Sequence, residues 1–134
     1  MNITRKVWGT KYRILETPKT EIDLLYLEKD SACSIHNHTS KINRFLLLKG
    51  AVTIKSDLGE TKLVINQPFD IEPPLVHQFI IHEESTMIEI AFVKKGKISA
   101  KDISRVQQGG KFINQKFQTL DELKINHWID NNVK

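Results

Sequence analysis

Short segments rich in β-branched and aliphatic residues, each closed off by proline, glycine or a polar turn, recur through the first two thirds of the chain. That punctuation leaves little room for any architecture but an antiparallel sheet. The segments are 11–16 (KYRILE), 21–28 (EIDLLYLE), 34–38 (SIHNH), 43–49 (NRFLLLK), 51–55 (AVTIK), 61–66 (TKLVIN), 69–72 (FDIE), 77–83 (HQFIIHE) and 86–93 (TMIEIAFV). Between them stand Pro18, Lys49-Gly50, the SDLGE turn of 56–60, Asn66-Gln67-Pro68 and Pro73-Pro74. Proline has no N–H to give a ladder, so prolines that bound strands fit a sheet. No helical pattern separates the segments, which rules out βαβ crossovers and leaves antiparallel pairing. A jelly roll or a closed barrel then hides the edges.

The signal changes late in the chain. Residues 99–108 are polar without a clear period, and Gly109-Gly110 interrupts them. In 119–131, Thr119 precedes Asp121 and Glu122 and predicts the start of a short terminal helix. The reading is one domain over 1–134, with a barrel at about 8–96 and a C-terminal extension at 97–134.

At 134 residues, with 40% hydrophobic and 27% charged residues, the chain has the composition of one globular domain. Cys33 is its single cysteine, so no intrachain disulfide forms. No apolar run nears the ~20 residues of a membrane-spanning helix. The opening MNITRKVWGTKYRILE interleaves charge with apolar residues, unlike a secretory signal. The expectation is a cytoplasmic protein without a membrane partner. The net charge of +4 gathers around Arg5–Lys19 and Lys94–Arg105. A basic rim of this kind draws anions. No basic stripe is interleaved with stacking aromatics, so nucleic acid is not an expected partner.

The chemistry concentrates in SIHNHTSKINRFLLLKG. His36 and His38, two apart on a predicted strand, project from one face. Two imidazoles on one face begin a metal site suited to zinc, iron, nickel or, with oxygen ligands, manganese. His77 follows the Pro73-Pro74 turn and is placed to reach across a barrel. A pair of histidines on a strand is also often merely exposed, and spacing alone leaves both readings open. His82 points to the opposite face from His77 by parity, and His127 falls in the terminal helix; neither is expected to be a ligand. Asn43, Phe45 and Leu47 share one side of their strand, while Arg44, Leu46 and Leu48 take the other, covered by a second sheet or a partner chain. Cys33 lies an odd number of residues before His36 and is expected to face away from it as a buried thiol.

Two motifs resemble the cupin superfamily. The first reads His36-Asn37-His38, four residues, Asn43, six residues, Gly50; the second reads Pro73-Pro74-Leu75-Val76-His77. The resemblance spans about residues 5–106. It implies an all-β cupin barrel, the double-stranded β-helix of jelly-roll type, assembled as a homodimer. It also implies one divalent metal ion (Zn, Mn, Fe or Ni) on His36, His38 and His77. Asn43 is a weaker fourth ligand, standing where the family has glutamate. Val7-Trp8-Gly9-Thr10-Lys11-Tyr12 and Lys101-Asp102-Ile103-Ser104-Arg105 further resemble the opening and closing segments of the cupin domain of type II mannose-6-phosphate isomerases. That likeness implies a metal-dependent isomerase acting on a sugar phosphate, with Lys41, Phe45, Phe79 and Arg105 as ligand contacts. The Glu-His-Trp cluster of those isomerases is replaced by Asn43-Arg44-Phe45.

No catalytic residue stands out. Isomerisation needs a base, and neither Glu72 nor Glu89 has a face that the pattern settles. A three-histidine iron dioxygenase and a non-catalytic barrel that binds a small molecule remain as alternatives.

Overall fold

The computed structural model describes residues 2–134. Its strands in chain order are β1 (Asn2–Lys6), β2 (Gly9–Glu16), β3 (Thr20–Leu27), β4 (Ser31–Ala32), β5 (Ile35–Asn37), β6 (Ile42–Lys49) and β7 (Val52–Ser56). Then follow β8 (Gly59–Lys62), β9 (Phe69–Ile71), β10 (His77–Ile81), β11 (Ser85–Phe92), β12 (Ser104–Gln107), β13 (Gly110–Ile113) and β14 (Lys116–Thr119), and a single helix, α1 (Leu120–Ile125). Every pairing among the described residues is antiparallel. One sheet runs β1-β2-β3-β11-β6-β9. The other runs β12-β5-β10-β4-β13-β14, with β7 also on β10 and β8 on β7.

Register explains where the core ends and the site begins. Directly opposed residues of an antiparallel pair share a face, so the inward rows of the first sheet can be followed across it. One row reads Lys11, Leu25, Met87, Leu47, and the next reads Arg13, Asp23, Glu89, Phe45. Leu25, Met87, Phe45 and Leu47 pack against Val52, Ile54, Phe79 and Ile81 of the second sheet. Toward β2 and β3 the same interior becomes charged. The open end of the sandwich is therefore polar by sequence, and its closed end apolar.

Gly9 shows why one turn is fixed in sequence. Its φ is +144°, and a Cβ there would sit 1.9 Å from the Tyr26 carbonyl oxygen. Only glycine permits that approach, which lets Trp8 turn inward to 7% exposure.

The sequence reading differs from the structure in several places: β1 was not anticipated, and the strand expected at 61–66 is β8, Gly59–Lys62, with Leu63–Asn66 outside it. The strand expected at 34–38 shortens to β5 at Ile35–Asn37, and Cys33, read in phase with it, falls with Ser34 in the gap between β5 and β4. The Cys33 N–H donates to the Phe79 carbonyl, and the Phe79 N–H to Cys33 Sγ at 3.2 Å. The break resets the alternation, so Cys33 lines the same cavity as His36 instead of facing away. Residues 97–134 are not a mere extension of a barrel at 8–96: β12 pairs with β5 and β13 with β4. The short terminal helix is where the sequence reading put it, six residues long behind Thr119. Thr119 caps it in a capping box with Glu122.

Candidate metal centre

His36 and His77 are directly opposed on β5 and β10, so their side chains share a face, and His38 follows just past the end of β5. The ring centroids are 4.6 Å apart for His36 and His77, 5.0 Å for His36 and His38, and 5.6 Å for His38 and His77. One ligand atom from each ring lies within 4.8 Å of the other two. Three atoms so spaced lie within about 2.8 Å of a common point, near the ~2.1 Å bond of a histidine–metal contact.

Each ring is held by the backbone through its Nδ1. His36 Nδ1 donates to the Ser34 carbonyl at 2.9 Å, His38 Nδ1 to the Asp102 carbonyl at 2.6 Å, and His77 Nδ1 to the Leu75 carbonyl at 2.9 Å. A carbonyl cannot donate, so each Nδ1 carries the proton and each Nε2 keeps its lone pair. His77 Nε2 is buried without a hydrogen-bond partner. A buried nitrogen with no partner costs about 1–3 kcal/mol, a cost that a ligand removes.

The rings are also kept neutral. Burial, then the proximity of His77 and His38, pulls His36 down to about 3. Burial lowers His77 and His38 as well, and Lys41 and Arg105 add to the effect at His38. Neutral imidazoles with fixed tautomers are the form that binds a cation. The residues fit a divalent metal.

Asn43 is buried beside them on β6. Its Nδ2 donates to Glu89 Oε2 at 2.8 Å, and its Oδ1 has no partner. The amide is thus oriented with its oxygen free. Burial, then the neighbouring Asp23, raises the Glu89 carboxyl above its ordinary range.

A cavity of about 370 Å³ opens onto the centre. Among the residues anticipated from sequence, His36, His38, Asn43, Lys41, Phe79 and Arg105 line it. His77 and Phe45 do not: His77 is 2% exposed at the back of the cluster, and Phe45, 1% exposed, packs behind it and against Phe79, with centroids 6.4 and 6.3 Å away. Glu72 is exposed and outside the cavity. His82 is exposed and shares a 2.8 Å hydrogen bond with Thr53, and His127 is exposed. Trp8 sits edge-on to Phe79 at 5.3 Å.

Glu89, Lys6 and Lys11 also line the cavity and were not singled out as ligand contacts from sequence. The signal for Glu89 lay in register alone: it opposes Phe45 on one side and Asp23 on the other, both inward. A second hollow of about 490 Å³, between 37–40 and 97–104, holds none of the three histidines.

Comparison with family descriptions and with curated proteins returns no match. Solved structures do match. KdgF from a Halomonas species covers 71% of this chain and 90% of its own, at 12% identity and a TM-score of 0.63. Pac13, a nucleoside dehydratase, covers 80% and 85%, at 6% identity and 0.67. A conserved protein from Klebsiella pneumoniae with a double-stranded β-helix domain covers 71% and 78%, at 13% identity and 0.58. The fold is that of a cupin. In this fold His36 and His77 stand on the second sheet with His38 just beyond it, and His36 and His38 line the same cavity as Asn43 and Glu89 of the first sheet.

Proposed function

We propose that this cupin holds one divalent metal ion on the Nε2 atoms of His36, His38 and His77, and works on a small, hydroxylated, anionic ligand of sugar-phosphate type. The observation that carries the reading is His77 Nε2, buried and partnerless among rings whose other nitrogens are all bound to carbonyls. When bound, the metal supplies a Lewis acid that polarises a carbonyl or hydroxyl oxygen.

The chain's own groups supply the rest. Asn43 offers Oδ1 toward the site, held in that orientation by Glu89. Glu89 is the carboxylate in the wall that is placed to take a proton from a carbon beside the polarised oxygen. Trp8 and Phe79 form an apolar wall that limits water. Isomerisation of a sugar phosphate, as in the mannose-6-phosphate isomerases that the motifs resemble, needs this combination of Lewis acid and base. The name of Pac13 describes the elimination of water for that protein, a reaction that also calls for a base beside the reacting carbon. In the same reading two copies of the chain pair through the outer face of the first sheet.

A second reading, a three-histidine iron dioxygenase, is favoured by one feature: the donor set is neutral, with an asparagine where a carboxylate would stand. Elemental analysis of protein purified without chelator tests both. About one equivalent of zinc, manganese or nickel, lost in His77→Ala, together with turnover of mannose 6-phosphate lost in Glu89→Gln, is the expected result. Iron with oxygen uptake selects the dioxygenase. Protein purified anaerobically with no metal, and unable to take one up, overturns both in favour of a barrel that only binds a small molecule.

A further inference from the structure

The wall of the cavity holds more positive charge than its carboxylates neutralise. Lys6, Lys11, Lys41 and Arg105 line it beside His36 and His38. None of the four forms an ion pair among the described residues. The acids of the same wall are already engaged. Arg13 alone takes Glu16 at 2.9 Å and Glu21 at 2.8 Å, and also Asp23. Glu89 accepts from Asn43.

The free cations converge from separate elements. Lys6 ends β1 opposite Gly9, Lys11 lies on the inner face of β2 opposite Leu25, and Arg105 stands on β12 in register with His36 on β5. Burial lowers the Lys6 ammonium from its ordinary value, and the nearby charges of Lys11 and Arg105 lower it further. Arg105, opposite His36 in the β12–β5 register, lines the same cavity as the lysines and the imidazoles. Lys6 and Lys11 are half-buried and Arg105 stands at the exposed rim, and like charges gathered so repel one another and cost free energy unless an anion joins them.

We infer that Lys6, Lys11 and Arg105 form an oxyanion subsite next to the histidine cluster, taking the phosphate or carboxylate group of the ligand. Charge-assisted N–H donors from three strands would grip the oxyanion there. The placement suits a ligand whose oxyanion lies at one end and whose hydroxyl groups reach the histidines. The assignment deepens the proposed function and rests on it only in taking the metal cavity as the ligand site.

Calorimetric titration with inorganic phosphate and with gluconate, at low salt, tests the subsite on the protein as purified and on His77→Ala. At least one anion is expected to bind, and the binding to persist in His77→Ala, where a metal contact is removed. Lys6→Gln and Lys11→Gln should each weaken it about tenfold or more while metal content and melting temperature hold. Lys55→Gln, which removes a surface partner of Glu60, should change nothing. Preference for phosphate assigns the subsite to a phosphate monoester, and preference for gluconate assigns it to a carboxylate. Binding that vanishes in His77→Ala, or that is the same in the lysine variants as in the parent, overturns the subsite and leaves the metal reading intact. Absence of metal with lysine-dependent anion binding does the reverse.

Discussion

At the scale of single residues, Asp102 ties the loop after β5 to the His38 ring. Its carboxylate accepts from the Thr39 N–H at 2.6 Å, the Thr39 hydroxyl at 2.7 Å, the Ser40 N–H at 3.0 Å and the Lys41 N–H at 3.2 Å. Its own carbonyl receives His38 Nδ1. Burial opposes the charge, but these donors outweigh it and bring the carboxyl from 3.8 to about 2. Because the folded value is the lower one, the stabilisation is complete above the unfolded value of 3.8 and is lost as pH falls toward 2. Asp102→Ala should free the loop, let the carbonyl drift from His38, and weaken metal binding about 10- to 100-fold, as loss of an outer partner does. A competition titration with a chromogenic chelator reads this, and Asp102→Asn should fall between. Unchanged affinity in Asp102→Ala would remove the positioning role. The three histidines were legible in sequence because they stand in two motifs that resemble those of cupins; parity and a rigid turn alone had left the metal reading open. Asp102 was not, since its partner Thr39 is 63 residues away and no local pattern marks the contact. Glu89 was hidden by a strand apolar on both faces. Cys33 was misread because parity does not survive a break in a strand.

At the scale of elements, the tail is where sequence patterns said least. Strand β12 is exposed along its whole length, so it carries no alternation to read. The β13–β14 hairpin did carry a signal. Asn114 and Gln115 both have positive φ, at 52° and 67°, the two-residue turn that joins tight hairpins. Asparagine at its first position is the usual mark of such a turn, but the polar surroundings masked it. What holds the tail down is apolar packing. Leu123 of α1 is 0% exposed, and Val133 beyond it is 3% exposed, both within the main core. Leu123→Ala should therefore cost about 2–5 kcal/mol. Thr119→Ala, which removes only the cap of a one-and-a-half-turn helix, should cost about 1 kcal/mol. Urea denaturation distinguishes the two. Equal small losses would mean that the tail contributes little to the stability of the sheets it joins.

At the scale of the molecule, the division between faces that builds the cavity also builds the outside. Antiparallel pairing followed from turn residues at short intervals, and most strand positions could be read from them, but the order of the strands could not. What lies on the outer surface of the first sheet could not, because a face covered by a second layer and one covered by another chain have the same composition. The structure puts no further layer of the described residues there. Tyr12, Leu24, Ile88 and Leu46 form a row across four strands, each only half-buried, and Ile22 and Ile90 lie in the next row. Tyr26 is 48% exposed and edge-on to Tyr12 at 5.4 Å. Charge enters only at the margin, where Arg44 pairs with Asp70 at 2.8 Å and lies over Phe92. A contiguous apolar face of this kind is uncommon on a chain that works alone. A two-fold axis lets it cover itself, sheet on sheet, with the charged margins outside. Light scattering after size exclusion should give twice the 15.5 kDa of one chain. Ile88→Glu, at the centre of the row, should give the single-chain mass with the metal content unchanged, since the histidines stand on the other sheet. A parent protein that runs as a single chain at every concentration would refute the pairing and leave the metal centre untouched.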